Sequence, residues 1–235
     1  MTDRNARRVA WPLAVLALGI VATTATLAVM NRAAFHSIDQ ANPIEAILPV
    51  GFALMGALIT SRNPRTPIGW IFLGIAFFGA LPGLGHQYFM YDYLRHTQRL
   101  PGARWAAFMI DWPVSFVFPT GLAAFIFLLF PNGRLLSPRW RWVARAAVVM
   151  DAISLLLNVT ENTIEVAGGP KARNPLQVHV LGNLWNGPLG AVLYIGGLGL
   201  LVAAMVSLVL RFRRSRGDER QQLKWFAYAA GATVI

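Results

Sequence analysis

Ionisable side chains inside long apolar runs are where this sequence could do chemistry. Three stand out: His86, Asp111 and Asp151. A carboxylate at the middle of a bilayer costs at least ~2.5 kcal/mol even on the lenient insertion scale. Asp151, in the middle of its run, is therefore expected to face other helices. Arg145 lies more than one helical turn before it and makes a poor partner. His86 and Asp111 come from consecutive runs and fall at one level, with Tyr88, Tyr91 and Asp92 close by. A His–carboxylate pair there could sense pH or bind a cationic or polar ligand. The plainer reading is a set of interfacial residues that snorkel to headgroups within an aromatic belt. For Asp151 the plainer reading is a protonated or hydrogen-bonded packing residue.

Other chemistries find no support. The histidines are His36, His86, His96 and His179, and no two have the i, i+4 spacing of a helical metal site. Cysteine is absent, which excludes disulfides and thiolate metal centres. No phosphate loop and no Ser-His-Asp arrangement can be read. Neither metal nor cofactor is expected, and no catalytic residue is assigned.

The elements that must position these residues follow from composition. Hydrophobic residues make up 56% of the chain and charged residues 13%, about half the charged share of a soluble domain. That excess needs lipid as a second solvent. The fold expected is an all-α polytopic membrane bundle with six full spans and the start of a seventh. The spans are about Trp11–Met30, Ile44–Ser61, Ile68–Tyr91, Ala106–Phe130, Trp142–Leu157 and Pro188–Leu210. Pro12 stands in a first turn, where a missing N–H costs little. Pro82, with Gly83 and Gly85, is expected to interrupt the third span. Pro113 and Pro119 lie inside the fourth. Residues 158–186 are too polar to span and read as an outer loop, with a short interfacial stretch around Leu181–Trp185. Gly196, Gly197 and Gly199 give the sixth span a small-residue strip suited to a neighbouring helix or a homodimer. A signal peptide is the alternative for the first run, but about 20 apolar residues exceed the roughly 7–15 of a signal core.

Charge sets the expected orientation. The formal charge is +11. Lys and Arg sit in short gaps between apolar runs, which argues for loops at a membrane and against nucleic acid as a partner. With the N-terminus cytoplasmic, fourteen Lys and Arg fall on inner pieces and six on outer ones. The loop with Arg95, Arg99 and Arg104 votes the other way. No internal repeat is visible, which weakens a transporter of the inverted-repeat kind.

The chain divides into a bundle, 1–210, a basic joint, 211–224, and the start of a further helix, 225–235. Arg211, Arg213, Arg214 and Arg216 are placed to meet anionic lipid at the inner surface. Asp218 with Gln221 reads as a capping box that restarts a helix and carries Leu223, Trp225 and Phe226 toward lipid. About 20 apolar residues are needed to span, and only 11 follow Lys224, so the helix is expected to continue beyond Ile235.

Three stretches carry a resemblance. They are RNPRTPIGWIFLGIA at 62–76, LLFPNGRLLSPRWR at 128–141 and RFRRSRGDERQQLKWFAYAA at 211–230. Together they resemble the N-terminal multi-span sensor region of actinobacterial two-component sensor histidine kinases. The chain departs at Asn132, where that family usually has Asp, and at Leu136, where it usually has Pro. The resemblance implies a membrane input domain in the plasma (inner) membrane, with a downstream kinase module and a response regulator as partners. Apart from the resemblance, the basic run reads plainly as a topology anchor or, more sharply, as a joint that passes tilt or rotation to a downstream domain through Arg211, Arg213, Arg214, Glu219, Gln222 and Trp225. The chain contains no phosphoacceptor or ATP-binding motif, so it cannot phosphorylate anything by itself. The rival reading is a small transporter or channel-like protein with a polar site around Asp151.

Overall fold

The computed structural model describes residues 3–32, 43–95, 100–117, 121–217, 220, 221, 223 and 224. Among them are eight helices and one pair of two-residue strands. The helices are α1 (Asp3–Asn31), α2 (Pro43–Arg62), α3 (Pro67–Arg95), α4 (Ala103–Val117), α5 (Leu122–Leu129), α6 (Trp140–Val159), α7 (His179–Trp185) and α8 (Pro188–Arg214). The all-helical class expected from composition holds. Four helical stretches are long and apolar enough to cross a membrane: Asn5–Asn31, Pro67–Arg95, Trp140–Val159 and Pro188–Arg214. Leu48–Arg62 is apolar but shorter. The expected fourth span is divided between α4 and α5, and residues 118–120 lie outside the described set. The expected seventh span, 225–235, lies outside it too.

The helices α1, α2 and α3 pack on one another, α4 adds to α3, and α5 and α6 pack on α8. Contacts of α3 with α5 and of α4 with α6 join the two groups. Alanine makes the first group close. Ala10, Ala14 and Ala17 recur on one face of α1 and meet Ala53 and Ala57 of α2 and Leu73 and Ala76 of α3. Side chains this small bring backbones near, which suits helices that have little hydrophobic drive to associate in lipid. The threonines of α1 are compatible with an apolar helix because Thr23, Thr24 and Thr26 each donate to the carbonyl four residues back.

One expectation about α3 is corrected. The helix runs unbroken from Pro67 to Arg95, through Pro82. Proline deletes a single amide donor, and packing against α1, α2 and α4 holds the two halves in line. Gly83 helps, since Thr24 of α1 lies 3.2 Å from where its Cβ would be.

The polar segment 158–186 holds more structure than expected. Its short helix is α7. Before it, β1 (Thr163–Ile164) and β2 (Ala172–Arg173) pair antiparallel, Thr163 opposite Arg173. Ile164, Val166 and Ala172 pack on Phe89, Met90 and Ala107, so the hairpin covers the end of α3 and the start of α4.

Candidate functional site

The end of α8 builds the most connected polar site. Its last turn carries Arg211, Arg213 and Arg214, where cations complement the helix dipole. Arg211 is only 6% exposed. Its Nη2 donates to the carbonyls of Leu128, at 3.1 Å, and Arg134. Its Nη1 donates to Leu129, at 3.3 Å, and Phe130. These groups form the C-terminal end of α5 and the turn after it. A helix leaves its last carbonyls without intrahelical donors. Phe130 N–H serves Ile126, Gly133 N–H serves Leu129, and the planar guanidinium reaches Leu128 and Leu129. Arg211 was placed by sequence among the lipid-facing cations; the structure turns it inward instead.

The other two quoted stretches meet at the same end. Gly133 has φ +70°, and a Cβ there would lie 2.6 Å from Cδ of Pro67. Glycine is required on both counts. Trp70 Nε1 donates to the Pro64 carbonyl, at 3.3 Å, which fastens the turn between α2 and α3. Gly69, one residue before Trp70, lets α2 come close: its Cβ would meet Thr60 Oγ1. Arg7 Nε donates to the Ser61 carbonyl, at 3.1 Å, so the start of α1 joins the same end. Thus the stretches at 62–76, 128–141 and 211–214 touch or interlock through named contacts. Beside Arg211 lies an open cleft of about 240 Å³, with Asn132, Arg134, Leu135, Leu136, Arg214 and Ser215 on its walls.

Arg213 and Arg214 are exposed. Glu219, Gln222 and Trp225, the remaining expected joint residues, lie outside the described residues, as does Asp218.

The expected outer site is arranged differently from a His–carboxylate pair. His86 Nε2 lies 2.9 Å from the Ala167 carbonyl in the hairpin segment. Asp111 is half-buried on α4. No ion pair links it to His86. Tyr88 donates to the Pro101 carbonyl, at 2.9 Å, and so braces the α3–α4 connection. Asp151 is buried on α6, facing the bundle as expected, and is not without a partner. Arg145 stacks over Trp142, at 4.8 Å. Among the described residues, no group of three His, Cys, Asp or Glu could hold a metal ion.

Sequence reasoning missed a buried amide pair. Asn31 Nδ2 donates to Oε1 of Gln87, at 2.9 Å, and to its backbone carbonyl, at 3.0 Å. Sequence reasoning placed Asp92 near the outer site but missed its full burial and the bond its Oδ1 accepts from Leu100 N–H at 2.8 Å. A polar residue at the last turn of an apolar helix was the available signal in both cases.

The glycine strip of α8 is partly used inside the chain. A Cβ at Gly196 would lie 2.4 Å from Cε of Met150 on α6, and Gly197 is buried. Only Gly199 of the three looks onto open space.

What the fold and site define is a class: an all-helical protein with four helices able to cross a membrane, compatible with a multi-pass membrane protein. Beyond that class, no known family, curated protein or solved structure matches the chain.

Proposed function

We propose that this chain is the membrane input domain of a two-component signalling protein of the sensor histidine kinase kind. In this reading six spans cross the plasma membrane, counting α2 and the α4–α5 pair. The N-terminus is cytoplasmic, and a seventh span follows the basic joint. A stimulus at the outer end or in the bilayer shifts helix packing, and the end of α8 carries the shift to a kinase module outside this chain.

The observation that carries the reading is Arg211. It binds the end of α8 to the end of α5 through backbone carbonyls, so α8 cannot tilt without moving α5 and the turn at Gly133. The three quoted stretches converge on that same end, and so do Arg7, Arg62, Arg65, Arg134 and Arg214. A cluster of cations at one end is what positive-inside topology demands.

The test is phosphorylation by the full-length gene product, reconstituted in lipid nanodiscs with ATP. Autophosphorylation is expected, with the R211A variant changed in basal rate at least severalfold and R8A unchanged. A full-length product that takes no phosphate on histidine sinks the reading. The transporter alternative rests on one observation, the burial of Asp151 within a candidate span. Solute flux into proteoliposomes that disappears in D151N favours it over signalling.

A further inference from the structure

We propose that the cleft between the turn after α5 and the end of α8 binds the phosphate of an anionic phospholipid headgroup. The proposal rests on the membrane-spanning reading and not on the signalling one.

The cations in the cleft have different duties. Arg211 is buried, and four backbone carbonyls occupy its donors. Arg134 and Arg214 are exposed, and neither forms an ion pair with another described residue. They come from separate segments, 134 from the turn and 214 from the last residue of α8, and both line one space of about 240 Å³. Among the described residues, no carboxylate lines it. Two guanidinium groups facing one opening suit a phosphate, whose oxygens accept paired N–H bonds. Asn132 adds a side-chain amide to the same wall.

Leu135 and Leu136 decide between a free anion and a lipid. They form the apolar part of the cleft. Inorganic phosphate gains nothing from them. A glycerophospholipid has a phosphate and an apolar body a few ångströms apart, and the cleft offers the matching pair of surfaces. Its position agrees: α8 ends its apolar run at Leu210 and turns basic within one turn. The Ser215 hydroxyl donates to the Phe212 carbonyl at 3.0 Å, so it shapes the rim without donating to the ligand.

The test is native mass spectrometry of the full chain released from detergent, titrated separately with phosphatidylglycerol, phosphatidylcholine and inorganic phosphate. Phosphatidylglycerol is expected to bind as one retained molecule, about tenfold tighter than phosphatidylcholine. The R134Q/R214Q variant is expected to lose that preference. The R139Q/R141Q variant removes the same charge from exposed positions outside the cleft and is expected to keep it. The L135N/L136N variant is expected to weaken the lipid. Equal losses in the two arginine double variants overturn the site in favour of diffuse charge. Displacement of phosphatidylglycerol by an equal concentration of inorganic phosphate overturns the lipid as ligand. Retention of both lipids without preference sinks the cleft and leaves the membrane reading intact. A chain that stays in solution without detergent and retains neither lipid sinks both.

Discussion

Arg211 and Phe130 stand 81 residues apart in the chain, and the guanidinium of one donates to the backbone carbonyl of the other. Phe130 is the C-cap of α5, so the bond closes a helix end that its own sequence leaves open. The C-terminal carbonyls of a helix carry a partial negative charge, which suits a buried cation. The arrangement makes α5, only eight residues long, dependent on the last turn of α8.

Replacing Arg211 with Ala should therefore destabilise the chain strongly. Hydrogen bonds to a charged group contribute roughly 1.5–3 kcal/mol each. They do not add fully, and a loss of about 3 kcal/mol or more is expected. Lysine should recover only part of it, because a compact ammonium with three donors cannot span the carbonyls that a planar fork reaches. Helicity followed by circular dichroism through an SDS titration measures both variants. A loss under about 1 kcal/mol for Ala would mean that water or a neighbour satisfies those carbonyls.

Gly133 offers a test with two separable causes. A left-handed backbone costs an ordinary residue roughly 1–2 kcal/mol. Asn tolerates that conformation better than Ala, so Asn would rescue the site if φ were the whole problem. The approach of Pro67 is indifferent to residue type, since any Cβ meets it at 2.6 Å. G133A and G133N are both expected to destabilise, with little rescue by Asn. An Asn variant as stable as wild type in the same SDS titration would show that Pro67 yields.

The exposed pair Lys171–Glu165, at 2.6 Å, should matter only locally. The hydrogen bond and charge of Lys171 lower the Glu165 pKa, and the same pairing raises that of Lys171. The signs define a window. The Glu165 part is present above the unfolded carboxylate pKa and is lost as pH falls through the lowered folded value. The Lys171 part is present below the unfolded ammonium pKa and is lost as pH rises through the raised one. At neutral pH both are present. Yet both side chains are well exposed, and such pairs are screened by water and salt. K171A should quicken amide exchange in the hairpin near pH 7, leave it unchanged in strong acid, and leave global unfolding unmoved. A large fall in global stability would contradict this view of the hairpin.

How much of this was legible in the chain depends on the range of the interaction. Local patterns were readable. The 20-residue apolar period marks α1 and α8, and Pro188 marks the start of α8 after a polar segment. The stretch around Leu181–Trp185 stood out by its apolar residues, and α7 forms there. Asp151 was placed inward because exposure to lipid would cost too much. Long-range pairing was not readable. Arg211 looks like any other member of a basic run, and nothing local says that its partners lie in 128–134. The hairpin was hidden because each strand is two residues long, too short to show alternation. Pro82 misled for a related reason: propensity counts the lost amide, while the packing of α3 against three helices is invisible in one dimension. His86 and Asp111 share a level in the chain, but level does not fix the direction of a side chain around a helix.

The last prediction concerns the number of spans, and a contact at the end of α2 frames it. Arg7 Nε donates to the carbonyl of Ser61, so the start of α1 and the end of α2 lie together. If only α1, α3, α6 and α8 crossed, one crossing by α1 would put Arg62 on the side opposite Arg8. If α2 crosses as well, as the proposed topology has it, Arg8 and Arg62 share a side, in keeping with the contact. Since the chain has no cysteine, single cysteines report position without a background. R8C, R62C and T163C all lie at exposed positions. In intact cells a membrane-impermeant maleimide should label T163C alone, and R8C and R62C only after the membrane is opened. Labelling of R62C together with T163C from outside would leave α2 unable to span, and the six-span topology would fail with it.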